Sequence, residues 1–409
     1  MFFFICSNQT LHNIRSYKVN NKLNRNIKLD YIYCFMRNFD LSSAIWVLYL
    51  IYKGLPLWQI GLLEGIFHCT SLITEVPTGA IADLIGRKKI IIIGRLCSVF
   101  SSMLMLFSSS FFGFAIAFIF SAWGYNFNSG SEEALVYDSL KLLGNENEYI
   151  KINARLNVIV EISQCISVFV GGILSEYSFI YCYLTAIFIA IISFGFALYF
   201  IEPKVNYISS DNNSKISFKK HFSMCKKTLK KNRKIRKILL YFPVVFSFYT
   251  VLFFYGQQYF SDLGLSIFQI SIIMLISGFI SCIGALSCKK ILRIFKQRTV
   301  YIVSLLLSVG IIGMFLNNLI LSTACFMMSS YANALLYPIQ SSSLNRLIPS
   351  EQRATIISVD SMLFSIAMII VFPITGIFAE IIGLNNVFFI LGIILLFMIR
   401  NFTIDTSYI

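Results

Sequence analysis

The stretch GAIADLIGRKK, residues 79–89, is a short charged patch between two long apolar runs. It sets an aspartate, a glycine and three consecutive bases in a chain of 409 residues that is 57% apolar, 16% aromatic and only 13% charged. A soluble protein of that length needs far more charge to cover its surface. The flanking runs are each long enough to cross about 30 Å of hydrocarbon, and such runs recur along nearly the whole sequence. Residues 79–89 therefore read as the turn between two membrane-crossing helices.

Working outward, apolar segments fall at about 31–51, 58–82, 90–107, 111–135, 152–174 and 179–201, then at 238–260, 267–286, 300–316, 319–344, 355–379 and 386–402. Runs of this length without alternation exclude a barrel, whose strands need only about ten residues. The expected fold is an all-α polytopic membrane protein with twelve transmembrane helices in two six-helix bundles. Its expected parts are a cytoplasmic leader (1–30), an N-terminal bundle (31–201), a basic linker (202–237), a C-terminal bundle (238–402) and a short tail (403–409). The linker carries twelve Lys or Arg from Lys204 to Lys237 against one acid, Asp211.

The net charge of +15 raises the question of nucleic acid, but the bases are spread over short loops, and few aromatics interleave with those of the linker. Of the 34 bases, 31 fall on one side of the expected membrane. That asymmetry puts both termini and the linker in the cytoplasm. The ten cysteines are scattered without a Cys-x-x-Cys pair, so they read as small buried hydrophobes.

The two halves resemble each other. GLPLWQI (54–60) matches GLSIFQI (264–270), RKKIIIIGRL (87–96) falls on QRTVYIVSLL (297–306), and GILSEY (172–177) matches GIFAEI (376–381). Three matches in order, each at a corresponding helix end, indicate a parallel six-plus-six repeat related by a pseudo-two-fold axis.

Within the opening turn, Gly79 allows close helix approach, Gly86 suits a reversal at positive φ, and Arg87, Lys88 and Lys89 anchor the loop. Asp83 meets the unfavourable dipole of its own helix end, so it needs an external partner. The pattern Gly-x-x-x-Asp-x-x-Gly-Arg-Lys-Lys resembles the loop signature of the major facilitator superfamily, with Leu84 standing where a base usually follows the aspartate. SGSEEALVYDSL (129–140) and IPSEQRATIIS (348–358) are similar to segments of its drug-efflux-like branch, the drug:proton antiporters. The resemblance implies a cytoplasmic latch: Asp83 on backbone amides near Thr355, and Arg87 on Glu132, Glu133 or Asp138. Such a latch clips the halves together when the cavity faces outward. The plain alternative is a positive-inside anchor.

An ionisable group at mid-bilayer costs about 2.5–3.5 kcal/mol on the insertion scale and marks a cavity or relay. Asp40 and Arg37 lie one turn apart on the expected first helix, as a structural pair or a proton switch. Glu64, His68 and Glu75 form a polar stripe on the second, which is either a proton path or a hydrogen-bonded seam. Asn157, Glu161 and Gln164 share a face of the fifth. Asp40, Glu161, Glu64, His68 and Glu75 are the proton-coupling candidates. Arg37, Asn126, Gln164, Tyr249, Tyr331 and Asn333 are the substrate-cavity candidates, with Tyr337 beside them. No intramembrane cluster of bases is expected, and Pro338 and Pro373 are expected kink sites.

No nucleophile, metal set or Walker loop is legible, which disfavours an enzyme or an ATP-driven pump. The expected protein is a plasma-membrane secondary transporter with no cofactor beyond a proton gradient. It works as a monomer in the lipid bilayer and exports amphipathic small molecules. A metabolite importer or facilitator, and more distantly a sensor without flux, are the competing readings.

Overall fold

The apolar runs form helices, and short polar side chains cap the starts of five of those described. The computed structural model describes residues 23–43, 45–203, 232–348 and 353–401. Helix α1 covers 23–38. It is followed by α2 (Trp46–Tyr52), α3 (Leu57–Ile85), α4 (Arg87–Phe107), α5 (Phe111–Asn128), α6 (Ser131–Leu142), α7 (Tyr149–Tyr177) and α8 (Phe179–Leu198). The second half holds α9 (Arg233–Asp262), α10 (Ile267–Phe295), α11 (Thr299–Gly313), α12 (Leu319–Leu347), α13 (Arg353–Ile382) and α14 (Leu384–Asn401). No strand occurs among the described residues. Among the described residues, eight stretches are long and apolar enough to cross a membrane, and one of them, Ile267–Leu316, contains both α10 and α11.

Ser110, Ser178, Asn232 and Asn318 accept hydrogen bonds from the first free amides of α5, α8, α9 and α12. Ser266 and Gln269 form a reciprocal capping box on α10. Side-chain caps of this kind are worth about 0.5–2 kcal/mol each. Helices α3 and α4 follow Pro56 and Gly86 and have no such local cap; distant carboxylates supply it, as described below. Helices α12 and α13 run on through Pro338 and Pro373.

Nine of the twelve expected segments coincide with single helices to within a few residues, the one expected at 267–286 runs on to Phe295, and two are interrupted. The first, expected at 31–51, is broken between α1 and α2. Asp40 lies in the break, where its carboxylate accepts from Ser42 N at 2.9 Å and Ser42 Oγ at 2.6 Å. That local capture of an amide competes with helix continuation. The fourth is broken at Gly130, whose φ of 73° starts α6.

Helix α1 also starts earlier than the leader boundary at residue 30 allows. Asn26 is fully buried. Its amide nitrogen donates to Ile201 O at 2.7 Å, and its Oδ1 accepts from Ile201 N at 2.9 Å, tying α1 to the end of α8. The eight described cysteines are free thiols, four of them buried, in line with the reading as small packing groups.

The two halves meet along two seams. Helix α3 packs extensively against α13, and α7 against α10. Helix α9 adds a contact to α2. This crossed pairing places the second and fifth segments of each half on the fifth and second of the other, as a two-fold repeat requires.

A central cavity closed at one end

One end of the bundle carries the α3–α4 turn, with Arg87, Lys88 and Lys89, and the end of α8 beside it; it is the basic end. At the opposite end, Gly54 and Gly264 make the turns that lead into α3 and α10, both at φ 88°.

The opposite end is sealed between the halves. Glu380 of α13 accepts from Leu57 N at 2.6 Å, which caps the otherwise uncapped start of α3. Glu176 of α7 accepts from Phe268 N at 2.9 Å, at the start of α10. These two glutamates are the acids of the matched GILSEY and GIFAEI segments, and they bind the starts of the matched GLPLWQI and GLSIFQI segments. The repeat is thus a pair of carboxylate-to-helix-start contacts, one on each side of the pseudo-axis, in which negative charge meets the positive end of the helix dipole.

The matched glycines bring the backbones together at the same places. A methyl carbon at Gly376 would lie 2.5 Å from Leu57 O and 2.7 Å from the Tyr255 hydroxyl, and one at Gly172 would overlap the Ser271 side chain. Tyr255 completes the closure by donating to Leu57 O at 3.1 Å and Phe372 O at 3.3 Å. Trp46 packs its ring against Phe118, Phe254 and Phe372 at centroid distances of 5.6, 5.2 and 6.3 Å.

Beneath the seal a cavity of 950 Å³ lies between α3 and α5 of the first half and α9, α12 and α13 of the second. Its walls reach Glu75 and Thr78 near the basic end of α3, and Ile357 and Asp360 near that end of α13. Phe67, Tyr125, Phe246, Tyr249 and Tyr337 give it an aromatic lining.

The stripe on α3 borders this cavity. Glu64 Oε1 lies 3.4 Å from His68 Nε2, and His68 Nδ1 lies 3.4 Å from Ser365 Oγ on α13, so the imidazole bridges the halves. Glu75 lines the cavity further towards the basic end. Asn126 is tied to the stripe, accepting from Ser71 Oγ and donating to Ser71 O and Thr74 Oγ1, each at 2.8 Å. Across from it Asp360 accepts from Gln340 Nε2 with both oxygens, at 2.8 and 2.9 Å. Tyr249 donates to Ser330 Oγ at 3.2 Å, and the buried Asn333 Oδ1 has no hydrogen-bond partner.

Several site expectations do not hold. Arg37 does not pair with Asp40; its Nη1 lies 3.1 Å from Glu132 Oε2. The break in the first segment removes the helical spacing on which the Arg37–Asp40 pair depended. It also brings Arg37 to a smaller chamber in the first half rather than to the central cavity. Tyr331 makes a 2.8 Å contact with Ser287 on α10 and is not among the lining residues. Glu161 and Gln164 are exposed on α7 and border neither cavity. Bases do gather inside the bundle, since Arg37 and Arg95 line one chamber.

The opening turn has a further partner in Glu202. Gly86 has φ 100°, as expected for the reversal. Glu202, just past α8, accepts from Arg87 N and Lys88 N, both at 2.8 Å, and so caps α4. A side chain at Gly86 would press on that carboxylate. Glu132 is committed to Arg37, Glu133 is exposed, and Asp138 is buried. The Asp83 and Thr355 side chains, and hence the expected latch contact, lie outside the described residues, as do the surroundings of Gly79.

Two repeat-related helical halves, a mirrored pair of carboxylate caps and a cavity between the halves suit a transporter, and the family comparison agrees. Residues 32–320 and 238–404 match the model of the Major Facilitator Superfamily. The chain belongs to that family. Its members are transporters rather than enzymes, and this chain is a membrane transporter of the same type. It is 25% identical over 372 residues to the uncharacterized MFS-type transporter YxaM of Bacillus subtilis (strain 168), covering 89% of this chain and 91% of that one. Its fold is similar to the nucleoside transporter NupG, with a TM-score of 0.72 at 14% identity over 94% of this chain and 98% of that one. It is likewise similar to a D-xylose-proton symporter, with a TM-score of 0.70 at 14% identity over 95% and 99%.

Proposed function

We propose that this major facilitator superfamily member is a proton-coupled exporter of amphipathic small molecules, held here with its cavity facing the cytoplasm. The positive-inside asymmetry makes the basic end cytoplasmic, with both termini and the linker on that side of the plasma membrane. The seal of Glu176, Glu380 and Tyr255 is then the closed outer gate. The 950 Å³ cavity is at the upper end of the usual range for small-molecule sites, and its aromatic walls suit apolar bodies of varied shape.

The observation that carries the reading is His68, placed between Glu64 on its own helix and Ser365 on the opposite half. A group that gains or loses a proton at that position changes a contact across the seam which must part during rocking. Protonation and pose are thereby linked, at the scale of the small bias that a two-state rocker needs. Glu75 extends the stripe towards the cytoplasm. The Asp83–Thr355 latch belongs to the opposite pose, in which the inner end is closed. The monomer suffices, because both halves of the machine lie in one chain.

The test is flux in proteoliposomes under an imposed pH gradient, with a panel of fluorescent amphipathic dyes and a protonophore control. Glu64→Gln, which keeps the shape but removes the charge, is expected to abolish gradient-driven dye movement while leaving downhill exchange in place. Gradient-driven movement equal to the parent's removes the proton from the mechanism. Dye uptake directed into the cytoplasm would instead favour a metabolite importer on the same scaffold.

A further inference from the structure

A second chamber of 320 Å³ lies within the first half, among α1, α2, α4, α5 and α8. It shares Glu64, Phe67 and Phe254 with the central cavity, so the two are neighbours across one wall. Its volume is that of a small-molecule site, and its polar groups are few in kind.

The charges around the chamber are mostly accounted for. Arg37 is paired with Glu132, Asp40 is held by Ser42, and Glu64 is beside His68. Arg95 differs. It is only 8% exposed, it lines the chamber, it makes no salt bridge among the described residues, and its Nε, like that of Arg37, has no hydrogen-bond partner. A buried guanidinium with free donors is costly unless a ligand or water meets it, and its planar fork matches a carboxylate.

The hydroxyls add a second requirement. Ser98 Oγ donates to Gly94 O at 3.1 Å, Ser101 Oγ to Ala117 O at 2.8 Å, and Ser102 Oγ to Ser98 O at 3.1 Å. With their protons committed to backbone carbonyls, these hydroxyls offer only lone pairs to the chamber. The Asp40 and Glu64 carboxylates likewise accept. Beside Arg95, therefore, these oxygens ask for hydrogen-bond donors, while the buried Tyr183 hydroxyl, which also lines the chamber and has no partner, can itself donate.

We infer that this chamber binds a small organic acid carrying hydroxyl or ammonium donors, its carboxylate on Arg95 and its donors on the serine and carboxylate oxygens. The inference rests on the proposed transport path, because the shared wall lets the apolar end of such a molecule face the aromatic central cavity. It narrows the substrate class to amphipathic organic acids.

Trp46 lines the chamber and can report on it. In purified protein carrying Trp58→Phe and Trp123→Phe, Trp46 is the one remaining tryptophan. Mandelate, which has an aromatic body, a hydroxyl and a carboxylate, is expected to quench its fluorescence saturably. The neutral mandelamide is expected to bind about tenfold or more weakly, the scale set by losing one charge-assisted hydrogen bond. Phenylacetate, which lacks the hydroxyl, is expected to fall between them. Arg95→Gln is expected to abolish the preference for mandelate over its amide, and Arg95→Lys to retain part of it. Equal binding of mandelate and mandelamide to the parent overturns the inference, and that comparison stands even if Arg95→Gln does not fold. Dye flux in the same preparation reports on the transport path separately, so retained flux without mandelate binding removes the chamber alone.

Discussion

Glu132→Ala is expected to destabilise the protein by about 1–3 kcal/mol, because it leaves the Arg37 guanidinium, about three-quarters buried, without its counter-ion. Glu132 is 6% exposed and its partner Arg37 reaches it from α1 at 3.1 Å. Arg95 is buried close by and adds to the unbalanced positive charge, and the nearby buried Asp30 offsets only part of it. The loss should appear as a lower midpoint of thermal unfolding in detergent and as reduced membrane abundance. Replacing Arg37 and Glu132 together by a methionine–leucine pair should recover most of it, since removing both charges also removes the desolvation cost. A single alanine variant as stable as the parent would show that the pair does not hold the first half together.

The second large effect is expected at the outer gate. Gly376→Val should reduce transport by at least about tenfold, the consequence of losing more than about 1.4 kcal/mol from one pose of a two-state cycle. The added carbons meet Leu57 O and the Tyr255 hydroxyl, and one of these is backbone that has nowhere to go. Closure at that end is blocked, whereas the pose in which the gate is parted has no such conflict. The variant should therefore fold, bind from outside and fail to complete the cycle. Normal flux in Gly376→Val vesicles, with normal protein levels, would mean that the α3–α13 contact is not part of the gate.

The sequence displayed the elements that depend on near neighbours and hid those that depend on distant ones. Apolar runs mark helices because a helix satisfies its own backbone, so membrane segments are readable one at a time. Gly86 was readable because a reversal between two helices needs a positive φ. The three repeat matches were readable as similarity, but not as the outer gate. Glu380 caps Leu57 across 323 positions of sequence, and Glu176 caps Phe268 across 92. Glu202 could not be assigned to the opening turn for the same reason, since its partners Arg87 and Lys88 lie more than a hundred residues away.

The Arg37–Asp40 pair shows how a local rule misleads. An i, i+3 spacing implies a shared face only while the helix continues, and Asp40 itself helps end that helix by capturing the amide and hydroxyl of Ser42. One available signal went unused. Arg95 sits in the middle of an apolar run with Ser98, Ser101 and Ser102 following at helical spacing, a pattern that marks a polar face turned inward.

The account rests on the halves pivoting so that one end closes as the other opens. Pulsed spin-label distance measurements on the protein in nanodiscs test this most directly. One label pair belongs at Tyr52 and Ile381, exposed positions at the outer ends of α2 and α13, and another at Leu84 and Leu286, exposed towards the inner ends of α3 and α10. The account predicts two populations whose outer and inner distances change in opposite directions. In Glu176→Gln/Glu380→Gln, weakening two contacts of about 0.3–2 kcal/mol each should raise the share with the longer outer distance. Outer and inner distances that lengthen together, or a population indifferent to both glutamates, would contradict it.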